Sequence, residues 1–99
     1  MEEKAKLLAE LLKILANESR LLVLCSLMHG GKTVGQIGEY VPKIKQSALS
    51  QHLNLLKTAG ILKSDKQGQS VLYSIADDRV REVLEVLRQH YCCETERAS

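Results

Sequence analysis

Two sets of side chains in this sequence could do specific chemistry, and the first is its three cysteines, Cys25, Cys92 and Cys93. A thiolate is a nucleophile and a ligand for soft metals, so these residues could form sulfur–sulfur bonds or bind a metal ion. None belongs to a Cys-x-x-Cys pair, which excludes a zinc knuckle and a thioredoxin-like motif. Cys25 lies on an apolar stripe with Leu21 and Leu24, where a thiol can also act simply as a small buried hydrophobic group.

The second set is a polar but uncharged helix face. Residues 46–58 place Leu49, Leu53 and Leu56 at i, i+4 and i+7, which predicts a helix with one buried side. Away from these leucines lie amide and hydroxyl groups, those of Ser47, Ser50, Gln51, Asn54 and Thr58. Such groups exchange hydrogen bonds with base edges, whereas a merely solvated face normally carries Lys and Glu. The same segment adds Gln46, and His52 on a flank, where phosphate contact or packing is expected.

The positive charge of the chain is concentrated in its middle. Residues 29–75 contain six lysines against two acids, a net charge of +4, whereas residues 1–28 are neutral and residues 76–99 carry −2. A basic segment suits a polyanionic partner, although an ordinary solvated face is the alternative. Together with the polar helix, this predicts binding of double-stranded DNA. The expected phosphate contacts are Lys43, Lys45, Lys57 and Lys66, with Gln67 and Gln69 beside Lys66.

Length and composition predict one globular domain spanning residues 1–99. The chain is 44% hydrophobic and 26% charged, and compact domains run roughly 50–200 residues. No apolar run approaches the roughly 18 residues of a membrane span, and the acidic residues 1–4 are unlike a signal peptide. We therefore expect a cytoplasmic protein without membrane contact. A cofactor or an enzymatic activity is not expected, because the sequence has no Gly-rich phosphate loop and no nucleophile suited to His52.

Periodicity and capping residues predict three helices before the polar one. Residues 4–15 place leucines at helical spacing, and Asn17 is a suitable N-cap for a second helix that runs to about residue 29 and stops at two glycines. Thr33 and Gln36 have the spacing of a capping box, which begins a short third helix that ends before the single proline.

A β-hairpin and a final helix are predicted after the polar helix. Val71, Tyr73 and Ile75 alternate with polar or smaller residues, which is typical of a strand with one buried face. The partner strand is expected at about residues 61–65, with residues 66–70 as the turn.

Aliphatic stripes on the two terminal helices predict a homodimer. The last helix, capped by Asp77, carries Val80, Val83, Leu84, Leu87 and Tyr91, and the first carries Leu8, Leu11, Leu12 and Leu15. One domain of 99 residues cannot easily cover both stripes, so we expect a second copy to do so.

Four segments of the chain resemble the ArsR/SmtB-type winged-helix repressors. They are residues 15–21 (LANESRL), residues 46–53 (QSALSQHL), residues 56–62 (LKTAGIL), and Gly68 followed by Leu72-Tyr73. The resemblance implies a mainly α fold with a β-hairpin wing, the winged helix-turn-helix, dimerised through its first and last helices. It also implies a repressor whose two recognition helices enter successive major grooves of a near-palindromic operator, about 34 Å apart.

Within that family, the chain is similar to the sulfide- and persulfide-responsive SqrR/BigR type and to the related HlyU type. The similarity rests on residues 20–25 (RLLVLC), residues 73–75 (YSI) and Tyr91-Cys92. In that branch a cysteine on the second helix and one at the end of the last helix form the sensing pair, which implies Cys25 and Cys92 here and a reactive sulfur species as effector. Cys93 has no counterpart in the pattern.

The sequence departs from the family at the entry to the recognition helix. The segment 40–45 is about one residue longer than the usual connection, and Lys45 occupies the place where a Ser or Asp cap is common. The start of that helix, and with it the set of base-contacting residues, therefore stays open.

Metal sensing is the alternative that the sequence leaves open. The usual site on the last helix is Asp-x-His and His-x-x-Glu separated by ten residues, whereas this chain offers Asp77-x-Arg79 and then His90-x-x-Cys93. Arg79 cannot bind a metal, so no metal site is expected there. A site of three thiols for arsenite or a soft metal remains open. A winged helix used only for protein–protein contact is a further alternative, with little need for a glutamine- and serine-rich face beside lysines.

Overall fold

The computed structural model describes residues 1–92, with Cys92 by its backbone only, as five helices and a small antiparallel sheet. In chain order the elements are α1 (Glu2–Leu15), α2 (Glu18–Ser26), β1 (Lys32–Thr33), α3 (Val34–Tyr40), α4 (Gln46–Thr58), β2 (Leu62–Gln67), β3 (Ser70–Ile75) and α5 (Asp78–Leu87). A π-helical segment, Arg88–Cys92, follows α5. The strand order β1-β3-β2 places β3 in the centre of the sheet, with β2 at one edge and β1 at the other.

The start of α2 is as predicted, and its end is not. The Asn17 side chain accepts a hydrogen bond from the backbone N–H of Arg20 at 3.0 Å, which confirms the N-cap. The helix ends at Ser26, three residues before the predicted limit, because the chain tightens into i→i−3 hydrogen bonds at Leu27 and Met28. The chain then leaves through Gly30, whose φ of 144° is a conformation that favours glycine.

The capping box of α3 is confirmed in full. The Thr33 hydroxyl accepts from the backbone N–H of Gln36 at 3.2 Å, and the Gln36 side chain accepts from the backbone N–H of Thr33 at 2.9 Å. Two otherwise unsatisfied N–H groups are thus paired at the helix start. The helix ends at Tyr40, ahead of Pro42 as predicted.

The polar helix, α4, has the predicted bounds and the predicted buried side. Leu49, Leu53 and Leu56 are each at most 2% exposed, and α4 packs against α3 and β2. Its end is a Schellman motif, in which the N–H of Gly60 bonds to the Lys57 carbonyl and that of Ile61 to the Leu56 carbonyl. Gly60 takes the positive φ, 81°, that this motif requires.

The hairpin has a tighter turn than predicted. Residues 66 and 67 belong to β2 and residue 70 to β3, so the turn is Gly68-Gln69 alone, with Gly68 at φ 63°. A two-residue turn with a left-handed glycine fits the right-handed twist of the paired strands, and this is why the pairing continues to the tip. Val71, predicted on the buried face, lies near the tip and is 38% exposed.

Strand β1 was missing from the prediction because two residues are too few to show a periodicity. Lys32 pairs with Tyr73 and Thr33 with Leu72. A Cβ on the preceding Gly31 would lie 2.9 Å from Cδ2 of Leu72 and 3.1 Å from the Tyr73 carbonyl oxygen. Glycine at this position therefore lets the chain pass close against the hairpin.

The terminal helices bury only part of their apolar stripes. Leu15, Val80 and Leu84 lie in the core. The exposed apolar side chains are Leu7, Leu8 and Leu12 on α1 and Val83, Val86 and Leu87 on α5, each more than two-fifths exposed. None of the helices in the described part of the chain is long and apolar enough to cross a membrane.

Arg20 ties the first two helices together beside α4. Its Nη1 donates to the Ile14 carbonyl oxygen at 3.0 Å, which links α2 to the last turn of α1. The pKa of His52 on α4 lies below its ordinary 6.5, first because burial of the ring disfavours the charged form and second because the Arg20 guanidinium repels it. His52 is therefore neutral at pH 7.

We expect His52 to make the folded state less stable at acid pH. Because its pKa is lower folded than unfolded, the unfolded chain binds more protons, and stability is lost as the pH falls below 6.5. His52→Gln should remove this part of the loss. Urea unfolding of both proteins at about pH 8 and about pH 5 measures it. An equal fall in unfolding free energy for both proteins would contradict the prediction.

Candidate nucleic-acid interface and thiol site

The predicted base-reading side chains lie on the solvent side of α4. Burial of three leucines on one face turns the opposite face outward, at about 100° per residue. Leu55 is 38% exposed on that side, and Gln46 is exposed at the helix start. The other exposed side chains there are Ser47, Ser50, Gln51, Asn54 and Thr58. They form an uncharged surface of hydrogen-bond donors and acceptors along a helix of 13 residues, long enough to lie in a DNA major groove.

The start of α4 has the electrostatics of an anion-binding end. Its N-cap residue, Lys45, makes no side-chain hydrogen bond to the helix, so the first N–H groups are left for another acceptor. Lys43 and Lys45 are both exposed there, and Lys57 is exposed in the last turn. No lysine of residues 1–92 forms an ion pair. The positive helix end and these lysines would together attract phosphate.

The hairpin tip presents the remaining predicted contacts. Lys66, Gln67 and Gln69 are exposed, and Lys66 pairs with Val71 one step from the turn. Because Lys66 and Gln67 lie within β2 rather than in a loop, the ladder to β3 holds their backbone in place.

His52 is the one predicted DNA contact that is not on the open surface. It is half-buried, and burial and the neighbouring Arg20 lower its pKa. A neutral imidazole cannot serve as a cation toward phosphate. Of the two roles predicted for His52, this placement favours packing.

The described part of the thiol site is Cys25 on α2. This residue is half-buried, between the fully buried Leu24 and Ser26. Cys92, described by its backbone only, is the last residue of the π-helical segment. Cys93 lies outside the described residues. The pairing of Cys25 with Cys92 therefore stays a prediction.

The carboxylate of the alternative metal site is already occupied. Asp77 accepts the N-cap bond from the backbone N–H of Arg79 at 2.9 Å and two further bonds from the Arg79 side chain, each of 3.1 Å. Chiefly through the side-chain bond, Arg79 lowers the pKa of Asp77. Among the side chains that the structure describes, those of residues 1–91, no group of three His, Cys, Asp or Glu could hold a metal.

Two arginines that the sequence did not single out join separate elements. Arg20 links α1 to α2, and Arg81 donates from Nη1 to the Met28 carbonyl oxygen at 3.1 Å and from Nη2 to the Ile75 carbonyl oxygen at 3.3 Å. The sequence gives only a weak signal for these linking roles. Each is a cation next to apolar residues of an amphipathic helix, whereas its backbone partners are visible only in the fold.

Comparison with known proteins agrees with this geometry. The family model "Bacterial regulatory protein, arsR family" matches residues 17–64. The transcriptional activator HlyU of Vibrio cholerae is 37% identical over 92 residues, covering 93% of this chain and 84% of that protein. The structure of reduced HlyU from the same organism has a TM-score of 0.86 and covers 93% of this chain and 96% of that one.

Two repressors are also similar to this chain, one in sequence and one in structure. The biofilm growth-associated repressor of Agrobacterium fabrum is 35% identical over 96 residues, 97% of this chain and 81% of that protein. The crystal structure of the transcriptional repressor BigR from Xylella fastidiosa, 29% identical, has a TM-score of 0.84 and covers 93% of each chain. With its winged-helix fold and these relatives, the chain belongs to the arsR family of bacterial regulatory proteins, in the branch of HlyU and BigR, and is a transcriptional regulator rather than an enzyme.

Proposed function

We propose that this protein is a homodimeric repressor that binds a near-palindromic DNA operator and is released from it by sulfur chemistry at Cys25 and Cys92. The observation that carries the DNA part is the outward face of α4, exposed, uncharged and rich in amide and hydroxyl groups. Repression is supported by the names of the Agrobacterium and Xylella relatives, whereas the Vibrio relative is named an activator.

Contacts to DNA divide by chemistry into two groups. Ser47, Ser50 and Gln51 would read bases, because amide and hydroxyl groups match the donors and acceptors of the major groove. Lys43, Lys45, Lys57 and Lys66 would bind phosphate, which adds affinity without sequence preference. Gln46, Asn54, Gln67 and Gln69 would lie beside them.

A dimer would explain the exposed apolar residues of the terminal helices. Leu8 and Leu12 on α1 are 55% and 50% exposed, and Val83 and Leu87 on α5 are 47% and 44% exposed. Covering such side chains is favourable by roughly 25 cal/mol per Å² of apolar surface. Two-fold symmetry would also present two copies of α4 to the two halves of a palindrome.

The proposed switch uses a low-molecular-weight persulfide, R–S–SH, as both sulfur donor and oxidant. A cysteine thiolate attacks its outer sulfur, the S–S bond breaks, RS⁻ leaves, and the cysteine becomes a persulfide. The thiolate of the other cysteine then attacks the inner sulfur of that persulfide, HS⁻ leaves, and a disulfide forms. When both cysteines are persulfides, the outer sulfur of one attacks the inner sulfur of the other, HS⁻ leaves, and a bridge of three sulfurs forms.

Bridge length connects this chemistry to the choice of effector. A plain disulfide requires Cα atoms within about 7 Å, and each inserted sulfur relaxes that limit. A wide gap between Cys25 and Cys92 would therefore favour polysulfides over simple oxidants. The bridge would draw the end of the last helix toward α2, change the separation of the two copies of α4, and lower the affinity for the operator.

We expect the wild-type protein to sediment as a dimer at micromolar concentration and Leu12→Glu to sediment as a monomer. The variant would bury a carboxylate in an apolar interface, which is costly without a partner charge. Leu55→Glu, on α4 and 38% exposed, is the matched control and should remain dimeric. A wild-type monomer at this concentration would refute the dimer.

Gln51→Ala should reduce discrimination between operator variants, by about 1–3 kcal/mol if the side chain makes a bidentate base contact. Lys66→Ala should instead weaken binding to all sites alike and make the dependence of affinity on salt shallower. Titrations of both variants on a cognate and a scrambled duplex at several salt concentrations measure the difference. Identical behaviour of the two variants would show that the division of roles is wrong.

Cys25→Ser should bind DNA like the reduced wild type and keep that affinity after treatment with inorganic polysulfide, because no bridge can form. Cys92→Ser should do the same unless Cys93 replaces it, so Cys92→Ser/Cys93→Ser is measured beside it. Cys93→Ser alone is the matched control and should still respond. Release of Cys25→Ser from DNA by polysulfide would contradict the switch. So would released wild-type protein whose intact mass shows neither the loss of two hydrogens that a disulfide gives nor the added sulfur of a longer bridge.

A further inference from the structure

Arg81 on α5 holds two other elements through one side chain. Its Nη1 donates to the carbonyl oxygen of Met28, in the turn after α2, and its Nη2 donates to that of Ile75, the last residue of β3. Met28 and Ile75 are both buried, at 8% and 3% exposure. A guanidinium is planar and presents its N–H groups in a fixed fork, so its two bonds constrain the positions of both carbonyls relative to α5.

This fork lies between the thiol site and the hairpin. The backbone N–H of Met28 donates to the carbonyl oxygen of Cys25 at 3.2 Å, so Arg81 binds the chain one turn beyond that cysteine. Arg81 itself belongs to the helix that the π-helical segment continues to Cys92. On the other side, Ile75 pairs with Leu62 at the base of the hairpin. The ladder runs from there to Lys66 near the tip.

We propose that Arg81 is the positioning residue that couples the thiol site to the hairpin, an inference that rests on the proposed sulfur switch. A bridge that draws α5 toward α2 moves the guanidinium relative to β3, so it strains the Met28 bond and the Ile75 bond differently, since the two carbonyls belong to different elements. When the Met28 bond is kept, the Ile75 bond must lengthen, and the base of β3 loses a restraint. The hairpin then changes its angle to α4 and loses its phosphate contacts. This loss adds to the loss of affinity that the changed separation of the two copies of α4 causes.

A comparison of Arg81→Lys with the wild type separates a coupling role of Arg81 from a purely structural role. Lysine keeps the charge but offers a single ammonium, which cannot hold two carbonyls in the geometry of a fork. A structural role would lower stability or DNA affinity equally in the reduced and the bridged states. A coupling role changes the ratio of these two affinities instead.

The experiment measures operator affinity of the full chain, reduced and after treatment with inorganic polysulfide, with the bridge verified by intact mass. We expect wild type to lose affinity by about 5–150-fold on bridging and Arg81→Lys to lose much less while forming the same bridge. Arg79→Lys is the matched control, because Arg79 lies on the same helix but, among the described residues, its side chain bonds only to Asp77. It should respond like wild type.

The outcomes distinguish this inference from the switch on which it rests. Absence of a bridge, or of an affinity loss, in wild type would overturn the switch itself. A responding wild type with an equally responding, equally bridged Arg81→Lys would overturn only the role of Arg81. Hydrogen exchange of the wild type is a second readout that needs no variant: amides at the base of β3 should exchange faster after bridging, and unchanged exchange there would overturn the coupling.

Discussion

The burial of Leu49, Leu53 and Leu56 is the constraint on which the functional surface depends. Each is at most 2% exposed, and removing a leucine side chain from water stabilises the fold by roughly 1.5–3 kcal/mol. Because the helix advances by about 100° per residue, burying these three positions fixes the rotation of α4 about its axis. The side chains that face solvent are then determined, and in this sequence most of them are amides and hydroxyls, beside Leu55 and Lys57. The surface proposed to face DNA is thus a consequence of core packing.

Local signals explain why α3 and α4 could be predicted from the sequence, whereas tertiary contacts explain the errors. The capping box of Thr33 and Gln36 and the Gly60 end of α4 each act within a few residues, and both are observed. The predicted end of α2 was wrong because the chain tightens into i→i−3 hydrogen bonds before it reaches its glycines. Strand β1 pairs with β3 where Gly31 lets the backbone approach Leu72, and no nearby residue indicates that approach.

The candidate site likewise contains some features that local sequence predicts and others that depend on tertiary contacts. The outward residues of α4 follow from periodicity alone, so their exposure could be predicted. The roles of Arg20 and Arg81 could not, because their partners are backbone carbonyls, which every residue carries. Met28 precedes Arg81 by 53 positions. His52 illustrates the intermediate case: its place on the flank of the face could be predicted, but its lowered pKa depends first on burial of the ring in the fold and second on the charge of Arg20 on α2.

Arg20 and Arg81 connect the two ends of α2 to other elements of the fold. Arg20, in its first turn, bonds to the last turn of α1 and lies beside His52 of α4. The turn that follows its end is held by Arg81, which also holds β3. Cys25 lies between these two joints on a helix of only nine residues, too short to absorb a displacement by bending. A force applied at Cys25 would therefore act through one joint on α1, which is proposed to form the dimer interface, and through the other joint on the hairpin, which is proposed to hold DNA.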